Sequence, residues 1–259
     1  MEAAICPTPG ILPLIADPHR WQLLTELARS DRRVGELAEL LGKPQNLVSY
    51  HLAELRNAGV VTARRSSADR RDVYYRADLL RCRTLLAEAA GALHPGLLLA
   101  LPSAALPSHR GRAPRVLFLC TGNSARSQIA EALLVHRSER TIEARSAGSH
   151  PEPLHANALR VMLERGIDMT GNSTKHLRRF ELMRFDRVIT LCDKVREICP
   201  EFAGAPATAH WSIADPAAHG GDDATYPRFQ SVADELEARV DLLIADLSAR
   251  TPEGTCHAR

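Results

Sequence analysis

The sequence of 259 residues predicts two domains, a mainly α domain followed by an α/β domain. Three observations carry that division. Pro95, Pro102, Pro107 and Pro114 stand close together, with Ser103, Ser108 and Gly111 among them. Prolines at this density interrupt helices and strands alike, so 95–113 reads as a linker. Before it, apolar residues recur at helical spacing; after it, short apolar strands alternate with helical stretches. The charge changes too, with 15 basic against 11 acidic residues up to position 113 and 18 against 20 beyond it. The expected domains are 1–94 and 114–250, with 251–259 as a tail.

Each element has its own local reason. Asp17-Pro18 is an N-cap followed by proline at the first helical position, and Trp21, Leu24, Leu27 and Ala28 form one helical face. A second helix runs over 34–41 and stops at Gly42. A third starts near Pro44, buries Leu47, Val48, Leu52 and Leu55, and ends at Gly59. Val60-Val61-Thr62 and Val73-Tyr74-Tyr75 read as strands joined by a basic loop over 64–72, and a last helix covers about 77–93. Helix–turn–helix followed by a basic hairpin is a winged-helix layout. In the second half, strands are expected at 115–119, 142–146, 187–191 and 207–211. Helices are expected at 127–136, 156–165, 177–182 and 229–247, the pattern of a parallel α/β sheet.

Composition narrows the function classes. Hydrophobic residues at 45% and charged residues at 25% exclude a mostly disordered chain. No apolar run approaches the ~18 residues of a membrane span, and Gly96–Leu106 is broken by Pro102. The Met-Glu start lacks a basic secretory n-region, so the expectation is a cytoplasmic chain with no membrane contact. Six cysteines, at 6, 82, 120, 192, 199 and 256, are too sparse for a disulfide scaffold. In a reducing compartment such cysteines are catalytic, metal-binding or simply buried.

The stretch Val116 to Ser127 carries the chemistry. A buried strand delivers Cys120 into the loop Thr121-Gly122-Asn123-Ser124-Ala125, and Arg126 and Ser127 open the next helix. Loop amides and a helix N-terminus cradle a tetrahedral oxyanion. The same positive potential is expected to lower the thiol pKa, making Cys120 a thiolate at neutral pH. Arg126 offers a planar fork to two oxyanion oxygens, and Ser127 can donate to the sulfur.

This run resembles the C-x5-R-S signature of the low-molecular-weight phosphotyrosine phosphatase family, and CTGNSARSQ-x-AE is similar to its arsenate-reductase branch. The likeness spans about 114–250 and implies a four-stranded parallel sheet flanked by helices, with the anion loop after the first strand. Cys192 and Cys199 lie seven apart, 72 residues beyond Cys120. A phosphatase uses one cysteine, whereas a reductase must supply two electrons, which thiols do by ending as a disulfide. In the thioredoxin-using branch, the resemblance implies Cys120 as nucleophile and Cys192 attacking it as arsenite leaves. Cys199 then attacks Cys192, and thioredoxin reduces the final disulfide. No bound cofactor and no resident metal are implied. A helical 192–199 would hold the two Cα atoms roughly 10 Å apart, beyond the about 7 Å a disulfide tolerates. The segment between them is therefore expected to loop out on oxidation.

His210-Trp211-Ser-Ile-Ala-Asp215-Pro216 resembles the family's acid loop, with Asp215 protonating the leaving oxygen. Phosphatase members place an aromatic residue after that Asp-Pro pair; Ala217 and Ala218 stand here. Asn123, Glu131 and Ser146 match positions that order the loop around potassium in some relatives. A fourth, acidic position is Lys175 here, so potassium dependence is not expected. Ala125 replaces a cysteine that lies outside the triad of some relatives.

In the first half, the stretch from Gly42 to Val60 resembles the recognition region of the arsenic-responsive repressor family, a likeness covering about 11–94. Gln45, Asn46, Ser49, Tyr50 and His51 are candidate contacts to base edges or phosphates of double-stranded operator DNA. Arg64, Arg65, Arg70 and Arg71 in the wing suit phosphates or the minor groove. The resemblance implies a homodimer through helices at about 12–28 and 77–93. The Cys-x-Cys pair of arsenite-sensing members is missing from the helix at 34–41. Cys6 and Cys82 are the remaining thiols that could meet across a dimer to take As(III), and Cys256 is unassigned. The expected function is therefore arsenate reduction coupled to transcriptional regulation. A phosphatase fused to a DNA-binding regulator and a non-enzymatic oxyanion-sensing repressor are the alternatives.

Overall fold

A computed structural model describes residues 9–94, 97, 112–204, 206–218 and 222–249. The chain divides into two compact units, Met1–Leu101 and Pro102–Arg259. Nearly all of the expected linker and tail lies outside the described residues.

The first unit is helical with a small antiparallel sheet. Its elements are α1 (Ile11–Ile15), α2 (Pro18–Arg29), β1 (Arg32–Arg33), α3 (Val34–Leu41), α4 (Gln45–Asn57), β2 (Val61–Arg65), β3 (Val73–Ala77) and α5 (Leu79–Leu93). Asp17 caps α2 by accepting from the amides of His19 and Arg20, which satisfies two donors the helix start would otherwise leave unpaired. Gly42 ends α3 with φ 59°, a left-handed cap that glycine adopts without steric cost. Leu23, Leu27, Leu37, Val48, Leu52, Leu55 and Val60 close the core between these helices. The sheet order is β1-β3-β2. β1 and α1 escape sequence periodicity because two and five residues are too short to show one. Arg64 and Arg65 are the last two residues of β2, not loop residues, because the ladder pairs them with Tyr74 and Val73.

The second unit is a parallel four-stranded sheet with helices. Its strands are β4 (Arg115–Cys120), β5 (Glu143–Gly148), β6 (Arg187–Thr190) and β7 (Ala207–His210), in the order β5-β4-β6-β7. Its helices are α6 (Arg126–Arg137), α7 (Ala156–Leu163), α8 (Asp193–Glu197) and α9 (Asp222–Ala249). Val116 to Leu119 have no exposed surface, as a central parallel strand requires. Two expected helices differ. Residues 177–182 hold only a 3-10 turn, Leu177–Phe180. α9 begins seven residues before the expected Phe229, passing through Pro227. So near the start of a helix, Pro227 removes a single bond to the preceding turn, and the helix tolerates it. Phe229, Val232, Leu236, Val240, Leu243 and Leu247 bury its inner stripe.

Candidate functional site

β4 lies between β5 and β6, so the chain leaves its carboxyl end at the point where strand order reverses. An open α/β sheet forms its crevice there. Cys120 ends β4 at that point, 2% exposed. The loop beyond it is held by its carbonyls: those of Thr121, Gly122 and Ser124 accept from the amides of His150, Glu152 and His155 at 2.9, 2.9 and 3.0 Å. The Asn123 amide donates to Cys120 Sγ at 3.2 Å, with Asn123 itself left-handed at φ 49°. Such a change of handedness is how a short loop gathers amides into an anion-binding concavity. Gly148 makes the fit possible, since a Cβ there would stand 2.5 Å from the Thr121 carbonyl oxygen.

The Asn123 side chain braces the loop from beneath. Its Nδ2 donates to Ser127 Oγ at 2.9 Å and to Ser146 Oγ at 2.8 Å, while its Oδ1 accepts from the Lys175 amide at 2.7 Å. Ser127 Oγ lies 2.9 Å from Cys120 Sγ. Because that oxygen already accepts from Asn123, its own hydrogen is free for the sulfur. Burial nevertheless pushes the Cys120 thiol up, with Arg126 and the Ser127 hydrogen bond pulling it down. The expected thiolate at neutral pH is thus opposed by desolvation, which sequence spacing does not report.

Arg126 is buried and points at the acid loop. Its Nη1 donates to the Ile213 carbonyl at 3.2 Å and its Nη2 to Asp215 Oδ2 at 3.1 Å. The guanidinium has five donors, so two bonds leave three for an oxyanion. Asp215 is about half exposed, as an acid that must meet a leaving oxygen needs to be.

Cys192 is buried and caps α8, and its sulfur lies 3.2 Å from Thr121 Oγ1, in the anion loop. The two thiols are close enough that Cys192 raises the pKa of Cys120. Cys199 sits half-buried beyond the other end of α8, and burial pushes its thiol up to about 11. Next to Cys192 lies a network the sequence reading missed. Asp193 is fully buried, and its Oδ1 accepts from Ser212 Oγ at 2.6 Å and meets His210 Nε2 at 3.0 Å. His210 Nδ1 in turn lies 2.8 Å from Thr190 Oγ1. The available signal was a carboxylate directly after a cysteine, together with a histidine at the end of a short strand.

Beside the Asn123 brace, Lys175 Nζ lies 3.4 Å from Glu131 Oε2, and Ser146 Oγ donates to the same oxygen. The ammonium group faces the carboxylate there.

In the first unit, Gln45, Asn46, Ser49 and Tyr50 are exposed on α4, Tyr50 at 57%. His51 is not with them. It is 6% exposed and stacks on His19, with ring centroids 5.2 Å apart. Helical spacing explains this correction: Val48, His51, Leu52 and Leu55 share the core face of α4. Arg65, Arg70 and Arg71 are exposed and Arg64 is half-buried. Arg71 donates to both Asp69 oxygens, and that hydrogen bond holds the Asp69 carboxyl down at about 2. Cys82 is half-buried on α5, while Cys6 and Cys256 lie outside the described residues.

Residues 115–253, more than half of the chain, match the family model described as low molecular weight phosphotyrosine protein phosphatase. The chain belongs to that family. Residues 17–63 match a second model, the arsR family of bacterial regulatory proteins, which includes the helix–turn–helix of α3 and α4. Among curated proteins, the phosphatase-family part is similar to an arsenate reductase of Shouchella clausii (strain KSM-K16). It is 37% identical over 126 residues, covering 48% of this chain and 91% of that protein. An arsenate reductase of Halalkalibacterium halodurans is 34% identical over 126 residues, with the same coverage. A solved arsenate reductase in its phosphate-binding state is 30% identical, covering 51% of this chain and 98% of that one, at TM-score 0.46.

Within this phosphatase-family domain, the structure brings together Cys120, Arg126, Ser127, Asp215 and Cys192 at one end of the sheet. Cys199 stays at the far end of α8. Among the described residues, no helix is long and apolar enough to cross a membrane.

Proposed function

We propose that the chain reduces arsenate to arsenite through Cys120, Cys192 and Cys199, with thioredoxin as electron donor, and binds operator DNA as a regulator. The observation that carries the reading is Cys192 Sγ at 3.2 Å from Thr121 Oγ1, a second buried thiol at the anion loop. The loop Thr121–Arg126 receives arsenate. Cys120 attacks arsenic as its thiol proton passes to an arsenate oxygen, and Asp215 gives a proton to the leaving hydroxyl, which departs as water. Cys192 attacks Cys120 Sγ; the new S–S bond forms as the As–S bond breaks, and its electron pair leaves with arsenic as arsenite. Cys199 then displaces Cys120 from Cys192.

That last step requires α8 to open, since Cys192 and Cys199 flank it. Opening also removes the burial that pushes the Cys199 thiol up to about 11, which favours its thiolate. Names of relatives support arsenate as substrate. The absence of an aromatic residue after Asp215-Pro216 speaks against a phosphotyrosine substrate. Lys175 against Glu131 supports turnover that is indifferent to potassium.

In the first unit, the match at 17–63 and the exposed polar residues of α4 support operator binding. Trp21 on α2 and Leu80, Leu86 and Leu93 on α5 are exposed apolar residues, and they support a homodimer through these helices. The test is NADPH consumption by the full chain with arsenate, thioredoxin and thioredoxin reductase. Turnover is expected with the wild type and lost in Cys192→Ser/Cys199→Ser. Turnover surviving that double change overturns the triad. Efficient aryl-phosphate hydrolysis without arsenate turnover would make the chain a phosphatase, and operator binding modulated by oxyanions without any turnover would make it a sensor.

A further inference from the structure

A cluster of potential ligands lies in the first unit, outside the anion loop and the exposed residues of α4 and the wing. Asp17, His19 and His51 place their donor atoms within 4.8 Å of one another. Asp17 Oδ1 is 3.7 Å from His19 Nδ1 and 3.9 Å from His51 Nδ1. Asp17 and His19 come from the start of α2, and His51 from the core face of α4. A second, independent observation points to a ligand: His51 Nδ1 is buried and has no hydrogen-bond partner. Its side chain is 8% exposed, so water does not compensate it. An orphaned buried nitrogen of this kind is destabilising unless something fills it.

We propose that Asp17, His19 and His51 bind a divalent cation of the zinc class, tying the start of α2 to α4. The donor set is one carboxylate and two imidazoles, and imidazole suits zinc, copper and nickel over calcium or magnesium. A tetrahedral zinc held by ~2.0–2.1 Å bonds keeps its ligands roughly 3.3–3.5 Å apart. The observed gaps of 3.7 and 3.9 Å are wider than this, and the His19 ring must turn out of its stack on His51 for both imidazoles to face one ion. Asp17 accepts from two amides, yet a carboxylate has about four acceptor positions, so two remain. Its charge also offsets the positive end of α2, which would otherwise repel a cation. Arg20 is no competitor, because its guanidinium is directed to the carbonyls of Leu14 and Pro13 at 2.6 and 3.1 Å. Three protein ligands leave a fourth position for water. The ion would pin the helix that carries Gln45, Asn46, Ser49 and Tyr50.

The test is a Zn(II) titration of the reduced full chain, following the imidazole 15N signals of His19 and His51. These signals report this site whatever zinc the cysteines take. Both Nδ1 signals are expected to move together and to saturate. In His19→Ala, which removes a partly exposed side chain, His51 is expected to need at least about tenfold more zinc. Asp17→Asn keeps an N-cap and removes the charge, and is expected to weaken the site as well. Nδ1 signals that stay in place under excess zinc, or a His51 titration unchanged in both variants, would overturn the proposal.

Discussion

The anion loop after β4 and the wing between β2 and β3 are both short loops rich in polar groups, but they are built in opposite ways. In the anion loop, hydrogen bonds between buried side chains hold the geometry. Asn123 alone joins Ser127, Ser146 and the Lys175 amide. At the wing, Arg65 at the end of β2 and Arg70 and Arg71 in the loop stand in water, and the loop is tied down by Ser66, Asp69 and Asp72. The first arrangement fixes geometry in advance, as chemistry on a small oxyanion requires. The second leaves Arg65 and Arg70 in solvent, an arrangement suited to an extended polyanion, whose affinity comes from the number of contacts. Substitutions in the loop should therefore have large, local effects, and those in the wing small, additive ones.

The largest effect is expected at Arg126. Arg126→Ala removes a buried guanidinium, and inhibition by phosphate should weaken by roughly 100-fold, as for a charge-assisted bidentate contact of about 3 kcal/mol. An unchanged inhibition constant would place the oxyanion elsewhere. Next comes the network beside Cys192. Asp193→Ala leaves the His210 ring and Ser212 without their buried acceptor and should cost about 2–3 kcal/mol in urea unfolding of the second unit.

Ser127→Ala is expected to be smaller. The Ser127 hydrogen bond lowers the Cys120 pKa, so removing it moves the thiolate to higher pH and slows alkylation near neutrality. An iodoacetamide rate profile against pH reads this directly, and a profile displaced downward contradicts the assigned bond. The smallest effects belong to the wing. Arg65→Ala and Arg70→Ala should each lower DNA affinity modestly and reduce the salt slope by about one. Arg71→Ala should do less, because Asp69 holds Arg71 already. With the Asp69 carboxyl depressed to about 2, that pairing is present at ordinary pH and is lost only as pH falls through about 2. Asp69→Asn should release Arg71 and strengthen DNA binding.

The same contrast explains what the sequence revealed. Cys120, Arg126 and Ser127 are covalent near-neighbours at the end of a strand, so their spacing already implies a cradle. Asp215 and Cys192 were legible through resemblance, since nothing local ties them to the loop. The network of Asp193, His210, Ser212 and Thr190 joins two strand ends through tertiary contacts that no periodicity records. His51 was misplaced because a polar residue on a recognition helix was read by type and not by face; Val48, Leu52 and Leu55 marked that face as core. α8 was missed because five residues between two cysteines carry too little pattern, although it separates Cys192 from Cys199.

The central claim is that electrons for arsenate come from three thiols in sequence. It is tested most directly by giving the fully reduced chain one equivalent of arsenate with no external reductant, blocking free thiols, and mapping disulfides by mass spectrometry. A Cys192–Cys199 disulfide is predicted in the wild type, and a trapped Cys120–Cys192 disulfide in Cys199→Ser. Arsenite release with Cys192 and Cys199 still free, or a disulfide that bypasses Cys192, would contradict it.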